Sequence, residues 1–303
     1  MIADSLSYWA YSVGWTTVRR MPERRAYAMF DRLADQFWQR HGPSVKQYER
    51  NLRRVLPDAR AGEIRATSRQ GLRSYARYWC DAFRMPDWPR EKILGFPVTG
   101  VEHVDDALGR GDRLFFVLPH AGNYDYGAAW IAQRYGSCTT VAERLKPERL
   151  FQKFVKFRTE MGLEILGTKT PHLIDTLTQR VNDGVMVGVV GDRDLSRHGI
   201  DVDFFGETAR FPRGPAVVAR RTGATLLTAA MYYTPDSAAA HIFPPIEVAR
   251  GGDEADDVQT TTQRLAHQVA AGIAQHPGDW HMLQPLWLAD LDPDRGPRSR
   301  GGG

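Results

Sequence analysis

The sequence predicts an α/β fold: a central, mostly parallel sheet covered by helices on both faces, preceded by an N-terminal helical segment that docks on a membrane. Three features carry this expectation. From about residue 98 short apolar runs alternate with helical stretches, the pattern of strands joined by crossover helices. Before residue 90 apolar groups recur at three- and four-residue steps instead, which is helical periodicity. Residues 1–60 hold eleven Arg or Lys against six Asp or Glu, interleaved with Tyr8, Trp9, Tyr11, Trp15, Phe30, Phe37 and Trp38. Basic residues mixed with amphipathic rings suit an anionic lipid surface. The same composition also fits a helical hairpin packed on the core with a solvated basic face.

Taken in order, "RAYAMFDRLADQFWQR" and "IRATSRQGLRSYARYWCDAF" are the clearest N-terminal helices, punctuated by Pro22, Pro43 and Pro57. "RLFFVLP" (113–119) reads as a buried strand, followed by a helix from about 123 and the strand "CTTVA" (138–142). A helix over about 147–162, the strand "LEILG" (163–167) and a helix near 171–182 lead to "GVMVGVVG" (184–191), the clearest strand. Beyond it come "IDVDFFG" (200–206), a helix over 214–224, the strands "TLLTAAMYY" (225–233) and "AHIFPPIEV" (240–248), and a helix over about 257–275. The chain divides into a helical segment (1–90), an α/β core (91–290) and a tail (291–303), within one structural unit. The tail is too poor in apolar residues to order itself.

Composition narrows the function. With 303 residues, 42% hydrophobic and 25% charged, this is an ordinary globular chain with a sizeable core. Cys80 and Cys138 stand far apart, which suggests packing residues in a reducing compartment. No secretory signal and no spanning apolar run is visible. A net charge of +4 is weak for nucleic acid, which is not expected as a partner. There is no G-x-S-x-G elbow, no H-E-x-x-H and no cysteine–histidine cluster, so neither a serine hydrolase nor a metal site is expected. "GRGDRL" (109–114) lacks the third glycine of a dinucleotide fingerprint and precedes a strand.

What remains is "LPHAGNYDYG" (118–127). His120 follows an apolar strand, Gly122 permits a close turn, Asn123 suits a helix N-cap, and Asp125 falls in the first helical turn. The carboxylate can then fold back towards the imidazole and fix its tautomer, as in a hydrolase triad without its serine. With no nucleophile on the protein, the nucleophile should be a substrate hydroxyl. A free imidazole, titrating near pH 6.5, suits the removal of its proton as it attacks a thioester.

"HAGNYD" resembles the H-x4-D signature of glycerophospholipid-type acyltransferases. "GDRDLSRHGIDVDFFGETARFPRGPAVVARRTGA" (191–224) resembles the branch that holds the lipid A late acyltransferases and, more closely, the actinobacterial phosphatidylinositol mannoside acyltransferases. "DWHMLQPLW" (279–287) is of the latter type too, and the likeness covers most of residues 5–290. The resemblance implies a long-chain acyl-CoA donor, usually palmitoyl-CoA, with no cofactor. It implies as acceptor the 6-hydroxyl of the mannose on position 2 of inositol in mannosylated phosphatidylinositol. It places the protein peripherally, at the cytoplasmic face of the plasma membrane.

Carried over by residue, His120 is the general base and Asp125 its partner. Arg158 lines the groove and holds donor phosphate or polarises the thioester oxygen. Glu143 lies near the acceptor sugar. Asp192, Arg193 and Asp194 follow the clearest strand and offer fixed carboxylates to sugar hydroxyls. Asp194 is read as the catalytic-site acid, with Asp192 and Glu207 as alternatives. Arg210 and Arg213 suit phosphate, and His281 the head group. The alternatives are a related acyltransferase acting on another glycolipid or lysophospholipid, and a non-catalytic lipid-binding protein of the same fold.

Overall fold

A computed structural model describes residues 14–143, 148–194 and 198–291. Tyr8, Trp9, Tyr11 and the tail from 292, expected to be disordered, lie outside the described residues. Residues 14–20 are helical and lead to α1 (Glu23–Gln39), α2 (Pro43–Val55) and α3 (Ala61–Arg84). Pro43 opens α2, where its missing N–H is not needed. At the start of α3 the Glu63 carboxylate accepts the Arg60 N–H at 2.6 Å, satisfying a donor the helix leaves orphaned.

These helices are a packed layer. Tyr48, Leu52 and Ile64 are all 0% exposed and gather with Leu283 from the far end of the chain. Trp15, expected on a lipid-facing surface, is buried between Phe83 and Phe154 at ring separations of 5.2 and 5.0 Å. The large apolar area of an indole explains that preference once a partner surface is in reach. Leu33 and Phe37, on the outer side of α1, stay exposed.

The core follows as α4 (Arg90–Leu94), β1 (Val98–Thr99), α5 (Glu102–Gly109), β2 (Leu114–Leu118), α6 (Tyr124–Tyr135), β3 (Cys138–Ala142), α7 (Glu148–Glu160), β4 (Leu163–Gly167) and α8 (Leu173–Asn182). It continues as β5 (Met186–Val190), β6 (Ile200–Phe204), β7 (Glu207–Phe211), α9 (Gly214–Thr222), β8 (Thr225–Tyr233), β9 (Ala238–Ile242) and α10 (Glu254–Gln275). Seven strands form one sheet in the order β1-β9-β8-β2-β5-β3-β4. Its neighbours run parallel except β8 and β9. The central strands are Val-, Leu- and Phe-rich because both faces are covered.

Two elements differ from expectation. "IDVDFFG" does not join the main sheet: β6 pairs antiparallel with β7 as a separate hairpin. The strand read over 240–248 ends at Ile242, where Pro244 and Pro245 remove ladder donors, and Ile246 bridges back to Leu226.

The register sets up the site. In the β2–β5 pair Leu118 lies opposite Val190, so the residues two positions beyond each strand, His120 and Asp192, emerge side by side. The carboxyl ends of parallel strands are where such sheets bind ligands. Gly122 brings the following turn onto β8: its φ is 51°, and a Cβ there would sit 2.5 Å from the Met231 carbonyl carbon. Only glycine fits that approach. Asn123 then caps α6, its Oδ1 accepting the Tyr126 N–H at 2.9 Å.

Candidate active site

His120 and Asp192 form the centre. The His120 Nδ1 lies 2.5 Å from Asp192 Oδ1, and the His120 backbone N–H donates to Oδ2 at 3.0 Å. The Trp280 indole N–H donates to the same Oδ2 at 2.9 Å. Asp192 is 0% exposed, and burial alone would raise its pKa. The charge and hydrogen bonds of His120, with the Trp280 bond, outweigh burial and hold it below the usual carboxylate range. The imidazole keeps 36% of its side chain exposed while its partner is sealed. One ring nitrogen is therefore fixed by an ionised acid, and the other is free to meet substrate.

Asp125 is not that acid. In the first turn of α6 its carboxylate points into the space between α6, α3 and α7. There its Oδ2 accepts from the Tyr78 hydroxyl at 3.0 Å and from Arg158 Nη2 at 2.7 Å. Burial alone would lower the Arg158 pKa; the Asp125 charge reverses that and raises it. Tyr78 rises well above its ordinary value through burial and then the same charge. The Arg158 Nε is buried with no protein partner, leaving a donor unspent. Asp125 meets a permanent cation where the sequence reading had placed an imidazole, because the β2–β5 register delivers Asp192 to the histidine first.

His281 lies against the same strand end, its backbone N–H donating to the His120 carbonyl at 2.7 Å. The Ser74 hydroxyl donates to Asp279 Oδ1 at 2.6 Å and lies 2.9 Å from His281 Nε2. Ser74 has one proton to give, so His281 Nε2 must be the donor in the second bond. That leaves Nδ1 as a bare acceptor, buried and without a protein partner. Burial, and secondarily the neighbouring His120, push the His281 pKa down to about 3.

The other sequence candidates scatter. Glu143 stands exposed just past β3, and Arg193 donates to the Gln284 side chain. Asp194, read as the catalytic-site acid, donates its N–H to the Arg210 carbonyl at 2.8 Å, at the base of the β6–β7 hairpin. It is the acid two residues earlier that meets the imidazole. Glu207 pairs with Arg54 at 2.8 Å, and Arg54 also holds Asp290. Arg210 faces Asp201 across the hairpin and bonds it at 2.7 Å; Arg213 lies 3.7 Å from Glu254. Carboxylates stand opposite Arg210 and Arg213, which makes them poorer phosphate sites than expected. Among the described residues no group of three or more His, Cys, Asp or Glu is placed to hold a metal ion.

Sequence reasoning missed Ser74, Tyr78, Asp279 and Trp280. It also missed a narrow, partly solvent-open cleft between α6 and one face of the sheet. Its lining includes Leu118 and Val190, each two residues short of His120 and Asp192, and Tyr124 and Asp125 from α6. The rest is almost wholly apolar, with Phe116, Trp130, Ile131 and Met231 among the walls. His120 is not itself among the lining residues, but its ring lies 6.2 Å from that of Tyr124, which is, so a proton acceptor stands near one end of a greasy slot.

A family model described as bacterial lipid A biosynthesis acyltransferase matches residues 3–289. The chain is 40% identical to the phosphatidylinositol mannoside acyltransferase of Mycobacterium tuberculosis strain H37Rv over 294 residues, 95% of this chain and 90% of that protein. It is also 40% identical to the phosphatidylinositol mannoside acyltransferase of Mycolicibacterium smegmatis over 290 residues, 94% of this chain and 92% of that one.

Proposed function

The chain belongs to the bacterial lipid A biosynthesis acyltransferase family, and from that premise we propose that it moves a long-chain acyl group, palmitoyl, from acyl-CoA to a phosphatidylinositol mannoside. The hydroxyl acylated is the 6-hydroxyl of the mannose on position 2 of inositol, as the sequence resemblance implies; the names of the mycobacterial relatives support only a phosphatidylinositol mannoside as acceptor. One observation carries the reading: an imidazole, held on Nδ1 by a sealed carboxylate, lies beside Tyr124 near one end of an apolar cleft.

The acyl chain lies in the cleft with its thioester at the strand ends. His120 Nε2 takes the proton of the acceptor hydroxyl as its oxygen attacks the thioester carbon. Asp192 stabilises the imidazolium that results. The tetrahedral intermediate collapses, the C–S bond breaks, the ester remains on the sugar, and the CoA thiolate recovers the proton from His120. Arg158 is too enclosed to clamp a donor phosphate; its pairing with Asp125 holds α7 against α6, whose residues line the cleft.

No helix among the described residues is long and apolar enough to cross a membrane. The outer side of α1 presents Leu33 and Phe37 beside exposed Arg25, Arg32 and Arg40. We assign that side to an anionic bilayer surface, where the enzyme meets its lipid-held acceptor.

The test is release of free CoA thiol from palmitoyl-CoA, with and without mannosylated phosphatidylinositol. Acceptor-dependent release with a new ester on the mannose is expected. Release that ignores the sugar but follows a lysophospholipid would transfer the reading to another acceptor.

A further inference from the structure

The floor of the cleft is one face of the sheet. Parallel pairing sets Phe116 beside Gly188 and Gly188 beside Thr140, with Leu118 and Val190 one pleat further on, and all five line the cleft. The floor crosses six of the seven strands, a width of about 24 Å at roughly 4.8 Å per strand. Sheet and helix normally interlock at this interface. Here the lining includes small residues on both sides, Gly127 and Ala128 of α6 and Gly188 and Ala229 of the sheet, and no α6 atom lies within 4 Å of where a Cβ on Gly188 would stand, so a channel is left.

Gly188 is the anomaly in that floor. It sits at the middle of β5, a central strand whose other residues are Met and Val. A glycine there weakens the strand and commonly marks a place where something else approaches the backbone. It also keeps accessible surface although Met186, Val187 and Val189 around it are buried. An added Cβ would meet nothing closer than Cys138 Sγ at 3.7 Å and Phe116 Cβ at 3.9 Å, both ordinary contacts. The backbone conformation does not demand glycine either, since its φ is not positive. Neither strain nor crowding explains the missing side chain; the space above it does.

Resting on the acyltransferase reading above, we propose that Gly188 determines acyl-chain length: its bare backbone lets the chain of a long acyl-CoA run over β5 towards β3. A side chain at 188 grows into the channel and fills space that the distal methylenes of the chain would occupy. The position acts on chain length alone, since the thioester lies at the strand ends beside His120.

The experiment compares Gly188→Ala, Gly188→Val and the unaltered protein, by calorimetric affinity and by kcat/KM, for decanoyl-, lauroyl- and palmitoyl-CoA. Valine suits a strand, and thermal melts confirm that each variant folds. The three side-chain carbons of valine displace about as many methylenes, each worth roughly fourfold, so the palmitoyl-to-decanoyl ratio should fall on the order of fiftyfold. Gly188→Ala should shift it in the same direction by less. A fall common to all three chain lengths in a folded variant, or an unchanged ratio, overturns the proposal. Calorimetry separates it from the proposed reaction: length-dependent binding without acyl transfer would defeat the reaction and keep Gly188, and the converse would do the reverse.

Discussion

Asp192 and Asp125 are two buried carboxylates beside the ends of neighbouring elements, 0% and 6% exposed, and they are put to opposite uses. Asp192 meets an imidazole that can gain and lose a proton; Asp125 meets a guanidinium that cannot. The first pairing can change charge during a reaction while its acid stays ionised. The second is a permanent ion pair, braced by Tyr78, that fixes α6 against α3 and α7. Burial marks both acids equally. The partner decides which one handles protons.

His120→Ala should break the contrast most severely, removing the base and lowering turnover by up to roughly 10⁴ while the melting temperature holds. Near-normal acyl transfer by the folded variant would end the mechanism. Asp192→Asn should follow at about 10³, because an amide can donate to Nδ1 and force the proton onto the nitrogen that must accept one. A kcat within error of the unaltered protein across the pH range would return Asp192 to a structural role. Asp125→Asn should cost stability, about 3 kcal/mol by urea unfolding, since it leaves Arg158 buried without its counter-charge. The pH profile of the surviving activity should keep its shape. A changed profile at undiminished stability would mean that the two acids have been assigned the wrong way round.

How much of this was legible in the sequence follows from the same pair. Both His120 and Asp192 lie two residues past an apolar run, which was visible; that β2 and β5 are neighbours was not. Strand order is fixed by long-range packing, and without it Asp125, five residues away in sequence, looked the nearer partner. The alternation of strands and helices was readable because parallel strands are apolar throughout. The β6–β7 hairpin was not, since "IDVDFFG" alternates like any half-buried strand. Ser74 and Asp279 were silent for another reason: a serine in the middle of α3 meets an acid 205 residues later only after folding. The cleft was hidden because a small residue on a sheet face, such as Gly188, signals a void only when the opposing residue is known.

The two histidines extend the contrast. His281 is held neutral, its pKa about 3 against an ordinary 6.5. Below about pH 6.5 the unfolded chain takes up a proton there that the folded chain refuses until about pH 3. Stability from this site is therefore complete above 6.5 and drains away as pH falls towards 3, a loss of about 2 kcal/mol between roughly pH 7.5 and 5. His281→Gln should remove that part of the slope, whatever it does to absolute stability. Unfolding curves for both proteins at the two pH values provide the check; parallel losses would mean that His281 is protonated in the folded state.

The smallest effect is expected where charge is neither buried nor paired. Arg24, Arg25, Arg32 and Arg40 are exposed and take part in no ion pair among the described residues, whereas Arg19, next to them in sequence, is tied to Asp87. Cations with no intramolecular partner have no ion pair to break and stay available to an anionic surface, at about 1 kcal/mol each near the headgroups. Replacing the four with glutamine should weaken binding to anionic vesicles and remove most of its salt dependence, because such attraction is screened over about 8–10 Å at physiological salt. A residue of binding should survive high salt through Leu33 and Phe37, and should disappear when both become glutamine. Trp15 contributes nothing to it, being enclosed by Phe83 and Phe154. Transfer to a detergent-dispersed acceptor should be unaltered in all these variants, since the His120–Asp192 pair lies in the core. Vesicle binding equal to that of the unaltered protein at every salt concentration would make the outer side of α1 a solvated helix face and no more.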